Sequence, residues 1–155
     1  MANQTQRPDT ALHNTSHLMQ YHDLIESIVA AMDARDAYTA KHSDRVADMV
    51  LVLATALDLS EDETTLLHMA AHLHDIGKIA VPDSVLRKAG PLTNPEWEEM
   101  RRHPVTGYEI LRKVDDFKEI AVLVRHHHER WDGRGYPDGL RGADIPLGSR
   151  ILAVA

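Results

Sequence analysis

Cysteine is absent from the 155 residues, which excludes disulfides, thiolate metal sites and cysteine nucleophiles. Aromatic residues are scarce at 5%, with a single Phe. Ala, Leu and Val are plentiful instead, which favours helix-on-helix packing over a sandwich or barrel. A basic surplus is also missing: 17 Lys and Arg against 24 Asp and Glu give a formal net charge of -7. That argues against duplex nucleic acid and anionic membranes as partners, since both need a basic face. No stretch approaches the ~18 apolar residues of a membrane span. The first residues carry neither the basic start nor the apolar run of a signal peptide, so a cytoplasmic protein is expected. What is present, 43% hydrophobic and 26% charged residues, suits one ordered domain rather than a disordered chain. The residue in excess is histidine, with eleven copies.

Residues 1–15 are polar and lack a helical period, as a flexible N-terminal arm would; residues 16–155 are expected to form one domain. From about His17, Leu24, Ile25, Ile28, Val29 and Met32 share one helical face, with a break near Asp33–Asp36. Thr39 is the expected cap of a second helix, on which Val46, Met49, Val50, Leu53 and Leu57 follow an amphipathic spacing. Ser60 with Glu63 is a capping box opening a third helix, predicted to end at Gly77. Val81–Pro95 reads as a loop with one short helical turn. Asn94 is the expected cap for Pro95-Glu96-Trp97. A break is predicted at Pro104, then a helix over Thr106–Val114 and another starting at Asp115 or Asp116. Residues 129–148 are rich in Gly and Pro, a long functional loop. A last helix begins near Pro146. Nothing alternates as a strand does, so the fold class is all-α.

Histidines gather at the ends of these helices. His72-Leu73-His74-Asp75-Ile76-Gly77-Lys78 places an imidazole beside a carboxylate, and a carboxylate can bridge two metal ions where imidazole cannot. Lys78 brings an ammonium next to that centre, where an anionic substrate would bind. The plainer account is a helix C-terminus whose His and Lys suit the macrodipole. His126-His127-His128 ends an apolar helix, and neighbours there are about 100° apart, so two at most face one centre. The run Asp132-Gly133-Arg134-Gly135-Tyr136-Pro137 is turn chemistry carrying a ring, Tyr136, able to stack on a base. His42 and His103 stand at further helix ends, where either alone would more often be a surface histidine. Together His42, His74, Asp75, His103, His127 and His128 exceed one tetrahedral zinc site. They suit two six-coordinate ions, and nitrogen and oxygen donors favour iron or manganese. His72 and His126, about 200° round the helix from His74 and His128, should point elsewhere.

These motifs resemble an HD-GYP domain, a branch of the HD-domain metal-dependent phosphohydrolases. The matching stretches are His42-Ser43-Asp44-Arg45, His74-Asp75-Ile76-Gly77-Lys78, His103-Pro104-Val105-Thr106-Gly107 and His127-His128-Glu129-Arg130 through Gly135-Tyr136-Pro137. The likeness runs over about residues 21–155. It implies a five-helix HD core and a metal-dependent phosphodiesterase hydrolysing cyclic di-GMP to pGpG or GMP. It assigns the six residues above as ligands with Asp75 bridging, Lys78 as the phosphate-holding residue, and the Gly133–Pro137 loop as the mouth. Tyr38 stands where some trinuclear members carry Glu, which points to two ions. The family's next residue after Ala155 is an Asp that completes the site. The C-terminal helices of the family are therefore expected to be missing, the chain to be a poor enzyme, and Ile151, Leu152 and Val154 to lack a packing surface.

The expected mechanism is two-metal hydrolysis by a bridging hydroxide. Against the overall negative charge, Lys78, Arg101, Arg102, Arg130 and Arg134 are the cations expected to steer and bind substrate, with Tyr136. Three other readings remain: a different HD nucleotide phosphohydrolase, a non-catalytic module binding cyclic di-GMP or a partner such as a diguanylate cyclase or regulatory domain, and a purely structural protein. A homodimer is also among the expected assemblies.

Overall fold

Ser60 and Glu63 start the central helix as their spacing implies. The Glu63 amide donates to Ser60 Oγ at 3.3 Å, and the Ser60 amide donates to Glu63 Oε2 at 2.9 Å. The computed structural model describes residues 16–35 and 42–155. The expected arm over residues 1–15, Tyr38 and the Thr39 cap lie outside the described residues. The elements are α1 (Ser16–Met19), α2 (His22–Arg35), α3 (His42–Ala56), α4 (Glu61–Leu73), a 3₁₀ helix (Ile76–Ala80), α5 (Asp83–Leu86), α6 (Asn94–Met100), α7 (His103–Leu111), α8 (Lys118–His126) and α9 (Leu147–Leu152). Short 3₁₀ turns precede α8 and α9. No strand occurs among the described residues, and the fold is all-α. No described helix is long and apolar enough to cross a membrane.

Helix α4 is the hub, packed on α1, α2, α3, α8 and α9. Its Met69, Ala70, Ala71 and Leu73 are buried. The paired alanines let neighbouring helices come close, and the burial of such apolar surface drives the assembly. On α2 only Ile25 and Val29 are fully buried, while Leu24 is 58% exposed; on α3, Val46 and Val50 are buried but Met49 is not, and Leu57 lies exposed just past the helix end. The apolar stripes are narrower than the periodicity implies, because α2 and α3 each pack on the core along a single edge.

Four local expectations are corrected. Gly77 does not end α4, which stops at Leu73; it lies inside the following 3₁₀ helix. A Cβ there would stand 1.8 Å from the His103 carbonyl oxygen, so glycine serves the close approach of this turn to α7. Thr93, not Asn94, caps α6: its amide and hydroxyl donate to Glu96 Oε2 at 2.7 and 2.8 Å. The break expected at Pro104 falls just before it, between Met100 and His103. The next helix runs His103–Leu111 rather than Thr106–Val114, with Pro104 in its first turn, where a proline loses no helical hydrogen bond. Ile151 and Leu152 are buried, at 5% and 7% exposure, because α9 lies over α3, α4 and α8. Ser149 ties that helix down by donating to the Leu123 carbonyl at 3.0 Å, and Val154 remains exposed.

Candidate metal centre

Four helix ends meet at Asp75. His74 and Asp75 leave the C-terminus of α4, His42 opens α3, His103 opens α7, and His127 and His128 follow α8. Three of the imidazoles are oriented the same way. Nδ1 of His74 faces the Ala71 carbonyl at 2.6 Å, Nδ1 of His103 the Met100 carbonyl at 2.8 Å, and Nδ1 of His127 the Val124 carbonyl at 2.6 Å. A carbonyl oxygen only accepts, so each Nδ1 carries a proton and each Nε2 is the nitrogen turned to the centre. Those Nε2 atoms converge. His103 and His127 bring theirs to 3.3 Å of one another, His74 Nε2 lies 3.2 Å from Asp75 Oδ2, and His103 Nε2 lies 3.3 Å from Asp75 Oδ1.

Donor atoms of His42, His74 and Asp75 lie within 4.8 Å of one another, and so do those of Asp75, His103, His127 and His128. Asp75 belongs to both groups, one oxygen toward each side. A buried carboxylate and five imidazoles, three of them oriented by backbone carbonyls, are a donor set that could hold metal ions.

The electrostatics agree with that chemistry. Burial opposes charge on Asp75, but His74, Lys78 and His103 outweigh it and hold the carboxyl well below its usual range. For His74 burial also opposes charge, and the adjacent Asp75 overcomes it and raises the ring. Burial lowers His42, His103 and His127, and together with His103 it pushes His128 down to about 4. These rings are neutral at physiological pH, the form that binds metal. Lys78 Nζ lies 2.7 Å from Asp75 Oδ2.

An open cleft of about 590 Å³ adjoins the centre, lined by His127, His128, Arg101, Arg130, Arg134 and Tyr136 among others. Tyr136 stacks on His128 with centroids 4.8 Å apart, and the Arg101 guanidinium lies 4.9 Å from the tyrosine ring. Two of the expected cations do not line this cleft: Lys78, held on Asp75, and Arg102, which is exposed and pairs with Glu99 at 3.1 Å.

The HD domain family matches residues 22–155. The chain belongs to the HD domain family. It is 46% identical over 135 residues to the cyclic di-GMP phosphodiesterase response regulator RpfG of Xanthomonas campestris pv. campestris (strain 8004), a match covering 86% of this chain and 36% of that protein. It is similarly 43% identical over 138 residues to the 3'3'-cGAMP-specific phosphodiesterase 2 of Vibrio cholerae serotype O1, covering 86% of this chain and 26% of the relative. A cyclic di-GMP phosphodiesterase of Thermotoga maritima is 39% identical over 135 residues, with 86% and 37% covered. The chain thus spans between about a quarter and just over a third of the length of these relatives.

Three residues in and around this HD domain's site escaped the sequence reading. Arg35, at the end of α2, donates to the carbonyls of Lys78, Ile79 and Val81 at 3.0, 2.7 and 2.5 Å, and so fixes the 3₁₀ turn that carries Lys78. Glu129 is buried and accepts from the amides of Asp138 and Gly139 at 2.7 and 3.0 Å, closing the Gly- and Pro-rich loop at its base. Trp97, half exposed, lines the cleft along with His127 and His128. Its place after Pro95 in a helix start was visible, but its outlook onto the cleft was not. His72 and His126 face away from Asp75: His126 meets Asp138 at 3.5 Å, and His72 meets His68 at 3.3 Å.

Proposed function

We propose that this HD domain is a metal-dependent phosphodiesterase hydrolysing cyclic di-GMP to pGpG or GMP. The observation that carries this is the Asp75 junction, with histidine groups on both sides of one carboxylate beside a cleft of guanidinium and aromatic groups. His42, His74 and Asp75 would hold one divalent ion, and Asp75, His103, His127 and His128 a second, with iron or manganese suited to the donors. When bound, two such ions supply Lewis acidity at phosphorus and a water made acidic enough to attack near neutral pH.

The chain's own residues do the rest. The backbone carbonyls behind His74, His103 and His127 keep those rings from turning, so the site is organised before substrate arrives. Lys78 stands where a non-bridging phosphate oxygen nearing Asp75 meets a cation. Arg101, Arg130 and Arg134 bind the dinucleotide's phosphates in spite of the chain's net negative charge. Tyr136 and Trp97 offer ring faces to the purines. Water oxygen bonds to phosphorus as the bond to the 3′ oxygen breaks, and that oxygen leaves with a proton. Such a substrate implies work in the cytoplasm, with a diguanylate cyclase or a regulatory domain as fitting protein partners.

The test uses untagged protein loaded with manganese or iron and offered cyclic di-GMP or 3'3'-cGAMP, with products separated by chromatography. Formation of pGpG or GMP, abolished by Asp75→Asn, is the expected result. Preference for 3'3'-cGAMP would move the substrate assignment. Tight nucleotide binding without turnover in fully loaded protein would instead establish a non-catalytic binding module.

A further inference from the structure

A second imidazole cluster lies on the other side of α4 and takes no part in the Asp75 centre. His68 and His72 are four residues apart on α4, which puts them on one face. His22 reaches them from the first turn of α2. Ring centroids are 4.7 Å apart for His68 and His72, 5.8 Å for His22 and His72, and 6.0 Å for His22 and His68. One donor nitrogen from each ring lies within 4.8 Å of the others.

Packing does not account for this group. His72 is buried, yet its Nδ1 has no hydrogen-bond partner, and the Asp44 carboxylate stands off at 3.9 Å. A buried imidazole whose Nδ1 goes unpaired is a cost to the fold that packing does not explain, and the nitrogen placed to take a ligand is the other one. That other nitrogen, Nε2, lies 3.3 Å from Nε2 of His68. Two nitrogens bound to one tetrahedral ion at ~2.1 Å are separated by about 3.4 Å. His22 turns its Nδ1 toward Glu26 Oε1 at 3.6 Å and Asp23 Oδ1 at 3.9 Å. Both carboxylates stand beyond hydrogen-bond distance of the ring, and what they add is negative charge beside the cluster, which favours a cation.

We propose that His22, His68 and His72 form a second metal site that takes a zinc-type divalent ion, with three imidazole ligands and a fourth position open to water. Three histidines without a bridging carboxylate favour tetrahedral zinc over the six-coordinate ions suited to Asp75. An ion there fastens the start of α2 to α4. The far end of α2 is Arg35, which grips the Lys78 turn, so the fastening reaches the part of the fold that carries Lys78.

The test is metal stoichiometry and cobalt spectroscopy on the full chain, its His22→Ala variant and its His68→Gln variant. The unmodified chain should bind one more equivalent of zinc than either variant. With cobalt(II), that equivalent should carry the intense visible bands of tetrahedral coordination, and zinc should raise the melting temperature more than in the variants. Manganese content at the Asp75 centre should be the same in all three. Equal zinc uptake and identical cobalt spectra in folded proteins would overturn the proposal. Should His68→Gln fail to fold, His22→Ala decides alone, because His22 is half-buried at a helix start and its loss leaves the core intact.

Discussion

The centre around Asp75 and the cleft beside it are held in opposite ways. At the centre the side chains are buried or half-buried, and backbone carbonyls three residues earlier lock the rings of His74, His103 and His127. Along the cleft the cations are exposed, and Arg101 and Arg130 pair with carboxylates close in sequence, Glu98 at 3.7 Å and Asp132 at 2.8 Å. The loop between them is gripped at its base by Glu129 and by the bidentate Arg125–Asp138 pair at 2.8 and 2.7 Å, and further along by Tyr136 against His128. The difference teaches a division of labour. Metal ligands work only with lone pairs in fixed directions, which demands burial and backbone support. Charges that meet a flexible, hydrated anion work through long side chains that can adjust, and solvent screening makes their existing pairs easy to exchange.

The comparison breaks first at Asp75. Asp75→Ala should remove metal from both ligand groups and lower turnover by more than about 1000-fold, read as metal content and product formation together. Retention of two ions would show that the histidine groups do not depend on the shared carboxylate. Lys78→Ala sharpens the contrast from the other side: turnover should fall about 100-fold with metal content and melting temperature almost unchanged. A large stability loss with full turnover of the folded fraction would make Lys78 a structural partner of Asp75 instead.

Loss of the loop's anchor comes next. Glu129→Ala strands two loop amides, a cost of about 1–3 kcal/mol, and should weaken nucleotide binding while sparing metal. Thermal melts and nucleotide titrations separate the two effects.

Acid should act on the centre and not on the cleft. His128 is pushed down to about 4 in the fold by burial and His103, whereas a free histidine titrates near 6.5. Below that free value the unfolded chain takes up the proton first, so stability falls as pH drops from about 6.5 toward 4. For metal-free protein, His128 alone should cost of order 2 kcal/mol between pH 7 and 5, a melting shift of about 4–8 °C. Bound metal should suppress that loss, and an unchanged melting curve at pH 5 would contradict the burial of these rings. The smallest effect separates two arginines. Arg134→Ala should raise KM for the cyclic dinucleotide several-fold, while Arg102→Ala, outside the cleft, should change it less than about 2-fold.

Much of this site was legible before any fold was known, for a physical reason. His42, His74, His103 and His127 sit at helix ends, and helix ends are marked in sequence by caps, glycines and prolines. Asp75 stood out beside His74 because only a carboxylate can bridge. The division into two groups sharing Asp75 was not legible, since it depends on where α3, α7 and α8 aim their ends. Arg35 and Glu129 were invisible because their partners are backbone groups of segments distant in sequence or folded back as a loop. Gly77 was misassigned for a similar cause: its lack of a side chain serves a contact with His103 rather than a helix stop.

The all-α class, the capped start of α4, the apolar helix faces and the set of chemistry-bearing residues follow from local rules, in which neighbours within a turn or two determine the outcome. Tertiary structure alone decided which oxygen of Asp75 faces which histidine, that Arg101 and not Arg102 looks onto the cleft, and that His22 meets His68 and His72 across two helices. Those are questions of direction between elements, and direction is set by the packing of α4 against its neighbours, which no short stretch of sequence encodes.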